Sequence, residues 1–313
     1  MGLTSCKKKI IGPGSSNVDL TGFAPRLPIA GETVMGSELH IGPGGKGANQ
    51  MTAAARLNGD VYFITRIGKD TFGAVLEQHF EAEGFQQSYI SHDENTSTGC
   101  ALIEIEETTA QNRIVVIPAA NLCISPTDVL AAESDFMDAG AVLTQLEIPI
   151  ETVMEAKDLA ARYGKPFILN PAPFRPLSPV QLAGIDWLTP NETEASSLTG
   201  VEVHSVDTAR SAARILLDFG VRNVVITLGV AGAYWTNGLQ EAVVPGIPMK
   251  AVETTGAGDT FNGALAVAVA EDMPPEVALR FANCAAAISV TRLGAAASAP
   301  TREEVEVLMK TIP

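Results

Sequence analysis

The chain has 313 residues, 46% of them hydrophobic and 18% charged, and a net charge of 21 − 36 = −15. That length buries one large α/β core, with room for an insertion, more readily than two or three small ones. An acidic chain without a basic tract argues against nucleic acid and anionic membrane as partners, yet leaves open an anionic ligand held by backbone N–H groups.

In chain order, the start "MGLTSC" has Cys6 where an acylation pattern wants Ser or Thr, and no apolar run precedes "LTSC", so neither a lipid anchor nor a signal segment is expected. "KKKIIGPG" reads as a short strand and a Gly-rich break, and Val18 to Ile41 as extended chain punctuated by Gly and Pro. "GKGANQMTAAARLNG" is an Ala-rich helix with Gly59 as its C′ glycine, "VYFITRIG" a strand, and Asp70 to Glu83 a helix closed by Gly84. Gly99 to Pro118 is again extended, alternating at Ile103, Glu104, Ile105 and Glu106, which predicts one buried and one wet face. Together the two extended regions, about 17–43 and 98–119, predict a small β-sheet lid on a single domain spanning 1–313.

From residue 141 onward, "AVLTQLE", "PFILNPAP", "DWLTPN" and "NVVITLG" are apolar strands separated by helices such as Glu151–Tyr163 and Thr208–Phe219. This alternation predicts an α/β fold, a doubly wound and mostly parallel sheet flanked by helices. The four strands end on Glu147, Asn170, Asn191 and Gly229, as a ligand crevice at the carboxyl edge of such a sheet requires. No repeat, low-complexity segment or membrane-length apolar run of roughly 18 residues is present.

Cys6, Cys100, Cys123 and Cys284 are scattered without a C-x-x-C pair, which predicts reduced thiols in a cytoplasm. His40, His79, His92 and His204 are equally dispersed and give little support to a metal hydrolase or a Ser-His-Asp enzyme.

"TTGAGDTFNG", Thr254 to Gly263, carries the chemistry. Apolar residues at Phe261, Ala264, Leu265 and Ala268 mark one helix face, starting near Ala257 with Thr254 or Thr255 as cap. Glycines in the first turn let an anion approach unpaired N–H groups and the positive end of the helix dipole. Asp259 beside that anion could take a hydroxyl proton, or could simply be a dipole partner. "GGKGAN" lacks the Ser or Thr of a P-loop, and "GPGSSN" lacks the third glycine of a dinucleotide fingerprint. An NAD-dependent oxidoreductase is therefore disfavoured; a silent binding protein on the same scaffold is the remaining alternative from another class.

"GGKGANQ" (Gly44–Gln50), "NETE" (Asn191–Glu194) and "TTGAGDTFNGA" (Thr254–Ala264), in that order, resemble the ribokinase (PfkB-type) family of carbohydrate kinases. "GSSNVDL", "QLE", "LNPAP", "ITLG" and "SVTRLGA" extend the match from about residue 10 to about residue 300. The resemblance implies ATP-dependent phosphorylation of a sugar's terminal primary hydroxyl, D-ribose first, with 2-deoxyribose, another sugar or a nucleoside as the rival substrate. It implies Asp259 as general base and the N–H groups of Gly256, Ala257 and Gly258 as anion hole. Asn17, Asp19, Gly45, Lys46, Asn49 and Glu147 would hold the sugar. Asn191, Thr227, Gly229, Gly232 and Asn283 would hold the nucleotide, with Glu194 organising Mg²⁺ through water. A monovalent-cation site, for K⁺, would use Glu253, Thr255, Ser289, Arg292, Gly294 and Ser298, with Glu253 standing where the family carries aspartate. A homodimer through the lid is expected, because an isolated small sheet with apolar alternation needs a cover.

Overall fold

A computed structural model describes residues 7–109 and 111–312; the expectations drawn for Met1–Cys6 lie outside them. Among the described residues, thirteen strands form two sheets. The strands are β1 (Lys8–Pro13), β2 (Asn17–Ala24), β3 (Glu38–Gly44), β4 (Gly59–Gly68), β5 (Ile90–Asp93), β6 (Gly99–Glu106), β7 (Asn112–Ile117), β8 (Ala141–Thr144), β9 (Phe167–Leu169), β10 (Trp187–Leu188), β11 (Asn223–Thr227), β12 (Ala233–Thr236) and β13 (Glu241–Val244). The helices are α1 (Lys46–Arg56), α2 (Thr71–Ala82), α3 (Pro126–Ala131), α4 (Glu133–Met137), α5 (Ile150–Arg162), α6 (Pro179–Leu182), α7 (Glu192–Thr199), α8 (Val206–Asp218), α9 (Ala257–Ala270), α10 (Pro275–Ser289) and α11 (Arg302–Thr311).

The nine-stranded sheet runs β13-β12-β11-β10-β9-β8-β1-β4-β5. It is parallel from β11 to β5, and the two antiparallel edge strands β12 and β13 follow as a hairpin. Adjacent apolar residues feed opposite faces. Ile10, Phe63, Leu143, Ile168 and Val225 pack with α1, α9 and α10, while Ile11, Ile64, Val142, Leu169 and Val224 pack with α5 and α8. Burial on both faces is why these strands read as unbroken apolar runs. The strand order reverses between β1 and β8, and that is where such sheets hold ligands.

The second sheet, β3-β2-β6-β7, occupies the two extended regions. Asp19 stands opposite Gly42 on one side and Ala101 on the other. Ile103 and Ile105 turn toward Glu253 and Leu293, so they line a cleft. Ile41 and Ile114 border the same cleft, and the exposed apolar side chains of this sheet outside its lining are Leu39, Leu102, Val115, Val116 and Ile117.

Three local expectations change. Asn58, with φ 71, takes the left-handed position after α1, and Gly59 already opens β4; asparagine tolerates that backbone region better than most residues. Neither Thr254 nor Thr255 caps α9; its N-cap is Gly256, without any side-chain cap. Burial of α9 also extends around the helix to Ala266 and Val267, because α1 flanks it on one side and α10 on the other. A Cβ at Gly263 would lie 2.3 Å from the Gln50 carbonyl oxygen, which is how closely α1 and α9 approach.

Candidate functional site

Two helix N-termini converge at the reversal point. Gly45 opens α1 and Gly256 opens α9, and neither position carries a side-chain cap. Gly256 has φ 79, and a Cβ there would sit 2.8 Å from Ala295 Cα, so glycine is required twice over. Among the described residues the N–H groups of Gly256 and Gly258 find no acceptor, while that of Ala257 makes a long 3.3 Å contact with the Thr254 carbonyl. Gly258 differs from Gly256: a Cβ there meets nothing within 4 Å.

Asp259 follows in the first turn of α9, 7% exposed. Asn49 Nδ2 donates to its Oδ2 at 3.0 Å and Gln50 Nε2 to its Oδ1 at 3.1 Å. The Gln50 amide is oriented from behind. Asn170 Nδ2 donates to the Thr189 carbonyl, which can only accept, so Asn170 Oδ1 faces Gln50 Nε2 at 3.0 Å. Gln145 Nε2 in turn donates to Gln50 Oε1 at 2.7 Å. Thr189 also donates to Asn262, whose Nδ2 donates to the Gly258 carbonyl and fixes the same turn. Asn49 Oδ1 is sealed from solvent without a protein partner, a state that costs about 1–3 kcal/mol unless a ligand completes it.

Lys46, Asn170, Asn191, Glu194, Thr227 and Asp259, with Gly256 and Gly258, line one cavity of about 200 Å³. Asn191 and Glu194 form a reciprocal capping box on α7: Glu194 Oε2 accepts from the Asn191 N–H at 2.9 Å and Asn191 Oδ1 from the Glu194 N–H at 2.8 Å. The N-x-x-E spacing is thus explained locally, and one carboxylate oxygen of Glu194 is left over. Burial pushes the Glu194 carboxyl up. The Asp259 carboxylate, with Glu147 and Glu194 behind it, holds the Lys46 ammonium above its ordinary value against the opposing effect of burial.

A second cavity, of about 140 Å³, lies under the small sheet and is lined by Asp19, Thr21, Phe23, Glu253, Thr255 and Gly294, among others. Burial, followed by the charges of Glu147, Asp259 and Glu253, pushes the Asp19 carboxyl up to about 7. Glu147 Oε2 accepts from Ser15 Oγ at 2.5 Å and from the Lys46 N–H at 3.0 Å, joining the end of β8 to the start of α1. Glu253 Oε2 accepts from the Gly294 N–H at 2.8 Å. Ser289, Arg292 and Ser298 lie outside this lining: the two hydroxyls bond the carbonyls of Ala286 and Ala295, and the Arg292 guanidinium pairs with Glu304.

The third cavity, of about 630 Å³, has walls from Val244, Pro245, Ile247, Val277 and Asn283. Asn283 Nδ2 donates to the Val244 and Pro245 carbonyls, leaving its Oδ1 over. Gly229 opens the turn Gly229–Ala231, and Gly232 packs against Val244, where a Cβ would lie 2.1 Å from the carbonyl oxygen. A largely apolar slot with the Asn283 amide, and with Glu276 and Arg280 also in its lining, suits a flat heterocycle.

Gln50, Gln145, Asn170, Thr189 and Asn262 hold the carboxylate in place, and the sequence assigns none of them that part. Gln50 was visible only as the neighbour of Asn49, and Asn170 only as a polar strand end.

Residues 7–302 match the pfkB family of carbohydrate kinases, and the chain belongs to that family. It is 40% identical over 298 residues to the ribokinase of Haemophilus influenzae, a match covering 95% of this chain and 97% of that one. It is 38% identical over 292 residues to the deoxyribokinase of Salmonella typhi, covering 93% and 95%. The structure of Arabidopsis thaliana ribokinase complexed with ribose and ATP superposes with a TM-score of 0.90 at 33% identity, covering 97% of this chain and 99% of that one. The chain is thus a phosphotransferase of the carbohydrate-kinase class, acting on an alcohol acceptor.

The open space at Gly258 yields a prediction. Gly258→Ala should unfold at equal or higher denaturant, gaining up to about 1 kcal/mol of helix propensity. Its turnover should fall at least about tenfold, because the methyl group occupies an anion's approach. Unchanged turnover in a stable variant would remove Gly258 from the site.

Proposed function

We propose that the chain transfers the γ-phosphoryl group of ATP to the primary hydroxyl of D-ribose, giving ribose 5-phosphate and ADP. The observation that carries this reading is Asp259: a buried carboxylate held by two amide donors beside free N–H groups at a helix start. The hydroxyl oxygen attacks the γ-phosphorus and its proton passes to Asp259. The bond from phosphorus to the β–γ bridging oxygen breaks, and the N–H groups of Gly256, Ala257 and Gly258 hold the charge on the transferring group. The 3.3 Å contact of Ala257 with Thr254 is long enough to yield to a phosphate oxygen.

On the sugar side, Asp19 accepts from hydroxyls, while Asn17, Lys46 and Asn49 supply complementary polar groups. Gly45 lets the start of α1 pack against the backbone of Ser15–Asn17, and Glu147 holds that start through the Lys46 N–H, which would set both beside the sugar. The nucleotide runs from Asn191 and Thr227 past Gly229 and Gly232, with its base beside Asn283. The small sheet serves as a lid over the sugar within a single catalytic unit, in the reducing environment of a cytoplasm that the free thiols of Cys100, Cys123 and Cys284 fit. No helix among the described residues is long and apolar enough to cross a membrane.

The charges of Asp259, Glu147 and Glu194 act on one ammonium, Lys46, and those of Glu147, Asp259 and Glu253 on Asp19, so a polyphosphate would enter this acidic field best with cations. Among the described residues no three His, Cys, Asp or Glu side chains cluster as a cage for a metal. Mg²⁺ carried on nucleotide phosphates would neutralise them, with the free oxygen of Glu194 reaching it through water. Oxygen donors around Glu253, Thr255 and Gly294 suit K⁺; Ser289, Arg292 and Ser298 would contribute through their carbonyls.

Three tests follow from this reading. ADP release should be fastest with ribose in a panel of ribose, 2-deoxyribose, fructose and nucleosides. It should slow when K⁺ is exchanged for tetramethylammonium and drop by about 10²- to 10⁴-fold in Asp259→Asn, with nucleotide affinity retained; equal turnover in that variant would take Asp259 out of the mechanism. Ribose binding should depend on pH through Asp19, whose carboxyl is held near 7: its charged form accepts hydroxyl protons, and that form is lost as pH falls. The ribose Kd should therefore rise about tenfold from roughly pH 8 to roughly pH 6, and a flat profile would contradict this. Leu39, Leu102 and Val115–Ile117 leave apolar surface on the lid, and a second copy would cover it as a homodimer; a monomer in static light scattering at micromolar concentration would overturn that.

A further inference from the structure

Asn121 lies in the short turn Ala119–Cys123 that leaves β7, and is 1% exposed. It has no place in the chemistry above, yet its side chain makes three bonds at the base of the small sheet. Its Oδ1 accepts from the Ser16 N–H at 2.8 Å. Its Nδ2 donates to the Ser16 carbonyl at 3.2 Å and to Asn17 Oδ1 at 2.8 Å.

The two main-chain groups settle which way round these amides lie. A backbone N–H can only donate and a backbone carbonyl can only accept, so Ser16 fixes the oxygen and nitrogen ends of Asn121. The nitrogen end then meets Asn17, and Asn17 must turn its own oxygen toward it. Asn17 Nδ2 is left pointing elsewhere; it finds no acceptor among the described residues and is not sealed from solvent. Gly99 makes the contact possible: a Cβ there would lie 2.2 Å from Asn17 Oδ1 and 2.4 Å from Asn121 Nδ2.

Asp19 follows two residues along β2, on the same face as Asn17. As a carboxylate it only accepts. A hydroxyl that gives its proton to Asp19 has only lone pairs left, and it needs an N–H donor on its other side. Asn17 presents that donor solely because Asn121 occupies its oxygen. Reversed, Asn17 would set an oxygen against an oxygen.

We propose that Asn121 is a positioning residue for sugar selectivity, fixing the polarity of the Asn17 amide so that the site demands a secondary hydroxyl able to bond both Asp19 and Asn17. The inference rests on the reading of this cleft as the sugar pocket.

The experiment measures kcat/KM for ribose, 2-deoxyribose and 3-deoxyribose in the unaltered chain, in Asn121→Asp and in Asn121→Ser. Aspartate keeps the acceptor for Ser16 but cannot donate to Asn17, so the Asn17 amide turns round. Serine is too short to reach it, and serves if the aspartate variant does not accumulate. Preference for ribose over the more strongly rejected deoxy sugar should shrink by at least about tenfold, with ribose losing and that deoxy sugar little changed. The ratio is indifferent to how much protein is folded, so a merely structural role would lower all three sugars in parallel. A parallel fall, or an unchanged ratio, overturns the role of Asn121. An unaltered chain that prefers neither ribose to 2-deoxyribose nor ribose to 3-deoxyribose overturns the substrate assignment and this inference with it.

Discussion

The contact on which the rest depends joins two helices far apart in sequence: the amides of Asn49 and Gln50 on α1 grip the carboxylate of Asp259 on α9. α1 begins where β3 ends, and β3 pairs with the strand that carries Asn17 and Asp19, while α9 begins with the uncapped turn of Gly256 to Gly258. Any change in how these helices cross therefore changes the distance between the small-sheet side of the cleft and the uncapped turn of α9. Gly263, packed onto the backbone of Gln50, sets that crossing, and the bonds from Thr189 and Asn262 hold the turn itself. None of these supporting groups carries a formal charge. Neutral amides orient a buried carboxylate without neutralising it, whereas an arginine in the same place would pair with it and blunt it as a proton acceptor.

The electrostatics have the same logic on a larger scale. Three carboxylates, Asp259, Glu147 and Glu194, act on one lysine, yet two helix N-termini point their positive ends into the same space. Fixed backbone dipoles can recognise an anion without contributing a mobile counter-charge, and under the proposed function the excess negative charge would make polyphosphate binding conditional on cations. Much of the charge at this centre would thus be delivered with the nucleotide.

Much of this was legible in the amino-acid order, and what was not has definite causes. The βα alternation after residue 141 and the two extended regions gave the sheets because period and breaker residues are local signals. Asp259 and its glycines stood out because a helix start is written in consecutive residues. The partners of Gln50 lie 95 residues or more away in the chain, so no spacing reveals the relay through Gln145 and Asn170. Asn121 is hidden for the same reason, since it meets Ser16 and Asn17 across more than a hundred residues. Gly59 misled because glycine is the usual residue after a helix, while Asn58 took the left-handed position one step earlier. Thr254 and Thr255 misled in the opposite sense: a capped α9 would have spent on its own side chain the N–H groups that an anion needs.

The most direct measurement is a crystal structure of the chain with D-ribose, ADP, Mg²⁺ and aluminium fluoride, the last standing for the transferring phosphoryl group. The account predicts an Asp259 oxygen about 2.6–3.2 Å from the primary hydroxyl oxygen. It also predicts the N–H groups of Gly256 and Gly258 bonded to the fluoride, with both amide contacts from α1 intact. An Asp259 carboxylate turned from the hydroxyl, or fluoride bound away from those N–H groups, would contradict it.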